Sequence, residues 1–257
     1  MRCATGCDRE SVAAASNEKL IRMTISRMPL HQGRLPPIPL ADDAEEDSIL
    51  LYNSVYDELS WRMITGRIMP GVPLSTRGLA QELGVSQMPV REALARLSAE
   101  RAIEIRSKRR ITIPTMTPAR FDDLLRCRLL LEPEAARLAL DFIDKPRLKF
   151  LHEADQRMDA ALQSGDVNIY MESNFNFHFG LYRAQNLITL NQLIETLWLQ
   201  FGPYMRVVYG RFGTSQLVDQ HHVALEAIEA GDREALGRAI HCDIEDGMGL
   251  IGRSGLV

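Results

Sequence analysis

The 257-residue sequence predicts a mainly α protein: an N-terminal winged helix-turn-helix with a small β-hairpin, then an all-α helical bundle. Three observations lead there. Leu, Ala, Arg, Glu and Ile are frequent while Thr, Tyr and Phe are scarce, a balance that favours helix. Residues 48–116 read in order as helix, short helix, tight turn, helix and alternating hairpin. From Pro118 to about Arg253 the apolar residues keep helical spacing, broken only by short loops such as DKP (144–146) and SGD (164–166).

Residues 1–47, with the extended segment RLPPIPL and the acidic run ADDAEED, lack periodicity and are expected to form a disordered leader. Order is expected from Ser48, a helix cap, with Ile49, Tyr52, Val55, Tyr56, Leu59 and Ile64 on one face. MPGVP (69–73) stops that helix. Thr76 is expected to cap a short helix carrying Leu79, Ala80 and Leu83, and Gly84 to end it in a left-handed turn. Ser86 then caps a helix whose first turn contains Pro89. Backbone N–H groups there have no intrahelical partner, so the proline costs little and stiffens the entry. Val90, Ala93, Leu94 and Leu97 form its buried stripe, while Gln87 and Arg91 share another face. In AIEIRSKRRITIP, Ile103 and Ile105, then Ile111 and Ile113, alternate around the polar tip SKRR, which predicts two strands. The helical region is placed at 117–250, with a short tail at 251–257.

No apolar run approaches the ~20 residues that span a bilayer, and the N-terminus lacks the apolar core of a signal peptide. A cytoplasmic protein without membrane contact is therefore expected. The four scattered cysteines suit a reducing compartment. The net charge of −4 is uneven. Residues 48–116 carry 10 basic and 6 acidic groups, whereas 117–257 carry 14 basic and 20 acidic. A basic module joined to an acidic one expects a polyanion to meet only the first.

That module has the parts for reading double-stranded DNA. A helix ~10–12 Å across fits the ~12 Å major groove, and the N-terminal residues of the second helix reach base edges. Arg91 is expected to bind guanine O6 and N7 bidentately and Gln87 to read adenine. Arg77 and Ser86 suit phosphates, and the tip residues Lys108, Arg109 and Arg110 an adjacent groove or the backbone. The stretch PGVPLSTRGLAQELGVSQMPVREALARLSAE, above all GVSxxPVREAL, resembles the N-terminal domain of the GntR family of bacterial transcription regulators. The resemblance covers about residues 49–114 and implies a symmetric dimer on a palindromic operator. Thr76 and Gln87 stand where the family usually has Glu and Arg, and the usual wing glycine is absent.

In the helical region several polar groups fall on apolar faces. Arg128 interrupts the stripe Leu124, Leu131, Ala135, Leu138; Asn174 and His178 share a face with Leu181. His221 aligns with Leu225 and Ile228, and Asp243 with Leu236 and Ile240, whereas His222 and His241 align with acidic outer faces. Buried ionisable groups need partners. Arg128, His178, His221 and Asp243 therefore form either a self-satisfied network or a ligand site. Two imidazoles and a carboxylate suit a divalent Zn, Ni or Mn ion, and Arg128 could clamp the carboxylate of a small-molecule effector. LLRCRLLLEPEAARLA, NxxxHxxLYRAQN and HxxxLEAIEAGD resemble the FCD ligand-binding domain of the FadR subfamily. In its metal-binding branch an Asp and three His hold the ion; the matching positions here are Asn174, His178, His221 and Asp243. A metabolite-responsive repressor is the reading that follows. Its rivals are a metal-dependent enzyme acting on a small organic acid, with Glu132 or Glu172 as base, and a helical dimerisation module without a ligand.

Overall fold

A computed structural model describes residues 43–107, 110–212 and 219–253. The expected leader up to residue 42, the tip residues Lys108 and Arg109, and the tail from 254 lie outside the described residues. Two compact units result: one holds residues up to Leu59 with Ser75–Arg96, the other Ser60–Leu74 with Leu97 onward.

Helix α1 (Asp43–Ile64) starts five residues before Ser48, which is inside the helix rather than its cap. The sequence places Asp43, Glu45, Glu46 and Asp47 in its first turns, where a helix N-terminus favours negative charge. Thr65 and Gly66 end it: the Thr65 hydroxyl donates to the Trp61 carbonyl at 2.7 Å, and Gly66 has φ +67°. Helix α2 (Thr76–Leu83) is capped by Ser75, whose side chain accepts from the Gly78 N–H. Thr76, expected as the cap, is the first helical residue; only Ser75 has the extended backbone that a cap needs. Gly84 (φ +68°) closes α2, and the Val85 N–H donates to the Ala80 carbonyl at 3.0 Å. Helix α3 (Gln87–Ala99) starts directly after Ser86, with Pro89 third. Val90, Ala93, Leu94 and Leu97 are buried, as their spacing predicts. Arg96 lays its guanidinium over the Tyr56 ring, 3.6 Å from the centroid.

Strands β1 (Glu104–Ser107) and β2 (Arg110–Thr112) pair antiparallel, with Ile105 opposite Ile111. Ile103, Ile111 and Ile113 are buried, but Ile105 is exposed, so only three of the four alternating isoleucines enter the core. The register shifts between Ile105 and Ser107, and this irregularity breaks the simple alternation. Leu74 adds a pairing that periodicity did not foresee, exchanging backbone hydrogen bonds with Ile111 at 2.7 and 3.2 Å.

Six helices follow among the described residues. They are α4 (Pro118–Ala139), α5 (Lys145–Ser164), α6 (Val167–Tyr182), α7 (Ile188–Phe212), α8 (Gln220–Ala230) and α9 (Arg233–Arg253). Thr117, Asp144, Asp166 and Asp219 cap α4, α5, α6 and α8 with their side chains. Helix α9 runs into the segment expected as tail. Helix α4 packs on α9 and α7, α5 on α6 and α8, and α8 on α9. The core is aromatic, with Phe177, Phe179, Tyr182, Trp198 and Phe201 fully buried. Leu138, placed on the buried α4 stripe by spacing, is instead exposed, while Glu132 is fully buried. Helix α7 also meets the end of α1. A Cβ at Gly202 would lie 2.6 Å from the Ile64 carbonyl oxygen, so only glycine allows that approach. Tyr204 donates to the Pro114 carbonyl at 2.6 Å, and Arg120 bridges the Arg101 carbonyl and Gln200.

Candidate functional site

Seven polar side chains from four helices meet in the bundle. Asn174, His178 and Tyr182 follow one another at four-residue intervals along the buried face of α6. Helix α4 brings Arg128 and Glu132, α8 brings His221, and α9 brings Asp243. The Nε2 atoms of His178 and His221 are 3.3 Å apart. Asp243 Oδ2 is 3.2 Å from His178 Nε2, and its Oδ1 is 3.5 Å from His221 Nε2.

A hydrogen-bonded relay orients this centre. Glu132 accepts from Arg128 Nε at 2.5 Å and Nη2 at 3.2 Å, from the Tyr182 hydroxyl at 3.0 Å and from Trp198 Nε1 at 3.1 Å. The one Tyr182 proton is thereby committed to Glu132. Its oxygen must then accept from His178 Nδ1, 2.9 Å away. In the neutral imidazole this leaves a lone pair on His178 Nε2, aimed at His221 and Asp243. A lone pair beside a carboxylate oxygen is repulsive unless a proton or a cation lies between.

Electrostatics agree with a cation. Burial pushes His221 below the usual imidazole range, against the pull of Asp243, so it favours the neutral form that metals bind. For Asp243, burial acts upward but is outweighed by His221 and His178, which hold it well below the usual carboxylate range. Nearby, burial and Asp243 push the Tyr209 hydroxyl up to about 12. Burial and then Asp219 push Asp155 up to about 6.

The donor set fits a divalent ion. Tetrahedral coordination at ~2.0–2.1 Å from each ligand puts ligand atoms about 3.3–3.4 Å apart, close to the separations here. His178, His221 and Asp243 would hold it, and Asn174 lines the same cavity with Arg128, Met205, Tyr209 and Met248. That cavity is about 10 Å³, enough for an ion or one water and too small for an organic acid without rearrangement. Two of the five Arg128 donors are engaged by Glu132, and its guanidinium lies 3.8 Å from the Phe201 ring centroid.

All the site residues expected in the bundle thus meet, and His222 and His241 lie outside it, each beside its own i+4 glutamate. Glu132, Tyr182 and Trp198 were missed as partners. Glu132 is four residues after Arg128, and Tyr182 four after His178, so helical spacing carried the signal for both. The two glutamates considered as enzymatic bases are occupied: Glu132 by four donors, and Glu172 by an ion pair with Arg67. In the other unit, Arg77, Ser86, Gln87 and Arg91 are all exposed, and Gln87 and Arg91 lie one turn apart at the start of α3. Arg110, on β2, is exposed too.

Among the described residues no helix is long and apolar enough to cross a membrane. The family described as bacterial regulatory proteins, gntR family, matches residues 51–113, and the FCD domain matches residues 123–246. The HTH-type transcriptional regulator McbR of Escherichia coli is 31% identical over 183 residues, 70% of this chain and 83% of that protein. The gluconate operon transcriptional repressor of Bacillus subtilis is 25% identical, over 74% of this chain and 80% of its own. The solved structure of E. coli McbR superposes with a TM-score of 0.74 at 28% identity, covering 79% of this chain and 98% of that one. The chain belongs to the GntR family: it is a transcription regulator, not an enzyme, with a winged helix-turn-helix and an FCD domain.

Proposed function

We propose that the protein is a metabolite-responsive repressor of the FadR subfamily that works in the cytoplasm as a homodimer on a palindromic operator. Its domains are the reading head at 48–116 and the sensing and dimerisation bundle at 117–250. In the head, Gln87 and Arg91 read bases, Arg77 and Ser86 hold phosphates, and the tip residues Lys108, Arg109 and Arg110 bind the flanking backbone. The exposure of Gln87 and Arg91 on a helix whose other side is buried supports this assignment, as does kinship to a repressor of a gluconate operon.

In the bundle, His178, His221 and Asp243 hold a divalent ion, with Asn174 beside them. The ion, when bound, supplies an electrophilic centre for the carboxylate of a small acid. Arg128 faces the same cavity and steadies that anion. The convergence of two imidazole Nε2 atoms and a carboxylate on one buried point carries this reading. A ligand shifts the DNA-binding equilibrium only by its differential affinity for the two head arrangements.

One observation favours the rival, a dimerisation module without ligand: the relay from Arg128 through Glu132 and Tyr182 to His178 satisfies itself. Thermal melting with Zn, Ni or Mn and a panel of small organic acids separates the two. A ligand at a hundredfold its Kd adds about 2.7 kcal/mol, roughly 5–10 °C in Tm for a chain of this size. The sensing reading expects such a rise in the wild type and its loss in Asp243→Asn. A flat response across all metals and acids favours the rival.

A further inference from the structure

His221 has a second set of neighbours. Its Nε2 edge faces His178 and Asp243, while its Nδ1 lies 3.8 Å from Asp219 Oδ1. Asp155, on α5, joins that side: ligating atoms of Asp155, Asp219 and His221 lie within 4.8 Å of one another. Asp155 is only 7% exposed, and its buried Oδ1 has no hydrogen-bond partner among the described residues. Asp159, His152 and His222 act on Asp155 electrostatically as well. A buried, unpartnered carboxylate oxygen beside a second carboxylate is costly, and a retained arrangement of this kind calls for a donor.

We propose that Asp155 and Asp219 are positioning residues that draw the single proton of neutral His221 to Nδ1 and so leave the Nε2 lone pair for the ion. The proposal rests on the metal reading above. A neutral imidazole carries its proton on either nitrogen, and only the Nδ1–H form can ligate through Nε2. His178 obtains the same tautomer from Tyr182. His221 has no such hydroxyl partner among the described residues, and the carboxylates on α5 and at the start of α8 take that role. A carboxylate–histidine–metal chain of this kind raises ligand basicity and fixes the ring, and removing the outer carboxylate typically costs 10–100-fold in metal affinity. The bound ion would then be felt by α5 as well as by the three helices that supply its ligands.

The test is Zn²⁺ affinity of the full chain, measured by competition with a chromophoric chelator, for the wild type, Asp155→Asn, Asp219→Asn and Asp243→Asn. Asparagine is isosteric with aspartate and is an equally good helix N-cap, so Asp219→Asn keeps the α8 start while losing the charge. The expected result is 10–100-fold weaker Zn²⁺ binding for Asp155→Asn and Asp219→Asn, with metal-free melting temperatures no lower than wild type. Wild-type affinity in both variants, while Asp243→Asn loses the ion, overturns this inference alone. Two ions per wild-type chain, with the second lost in Asp155→Asn, overturns it by making the cluster a cation site itself. A wild-type chain that takes up no Zn²⁺ overturns both this inference and the metal reading beneath it.

Discussion

Glu132 and Asp155 are both buried carboxylates, but their surroundings differ, so their removal should act in opposite directions. Glu132 is the acceptor for Arg128, Tyr182 and Trp198. Glu132→Gln would leave the buried Arg128 without its counter-charge, and breaking such a pair costs ~3–5 kcal/mol. Denaturant melts should show that loss. Asp155 has neighbours of its own sign, and its carboxyl is raised from 3.8 to about 6. A raised acid favours folding fully below its unfolded value, and that benefit fades as pH rises through the folded value. Asp155→Asn should therefore match wild type below pH ~4 and exceed it above pH ~6, by at most about 3 kcal/mol. Equal pH profiles for the metal-free proteins would refute the electrostatic account of this position.

Among the elements, the junction of α1 with α7 is set by two glycines. Gly66 has φ +67°, and a Cβ at Gly202 would meet the backbone of Ile64 and Met63 at 2.6–2.8 Å. Backbone atoms cannot rotate aside, so Gly202→Ala should destabilise by ~1–3 kcal/mol through overpacking, visible as a lower denaturation midpoint. Helix existence and order were legible in the sequence because apolar period, Gly stops and proline entries agree; the α3 stripe and its Pro89 start follow from them directly. Boundaries were less so. The start of α1 was obscured because an acidic run reads as leader yet also suits a helix N-terminus. Ser75 and Thr76 are both good caps, and only the backbone angle decides between them. Leu74 pairs with Ile111 across the chain, a contact no local pattern encodes. The inward set Arg128, Asn174, His178, His221 and Asp243 was legible from period alone. Asp155 was not, since it sits among the charged residues of α5 and gains meaning only through the start of α8.

For the whole molecule, the proposed division of work gives DNA binding to the basic head and sensing to the acidic bundle. Lysine and arginine contacts to phosphate release counterions, so DNA affinity should fall steeply with salt. Arg91→Ala should lose ~1–3 kcal/mol of operator affinity and relax preference at one base pair, measured by fluorescence anisotropy. Unchanged affinity would remove Arg91 from the contact set. The measurement that bears most directly on the account is operator affinity of the full chain, on a duplex recovered by genomic footprinting, with bound Zn²⁺ and a panel of small carboxylates. The account predicts that at least one acid shifts wild-type affinity by about 5–150-fold, the usual span of coupling between sites, and leaves Asp243→Asn unmoved. An affinity indifferent to every acid, or an equal response in Asp243→Asn, would contradict it.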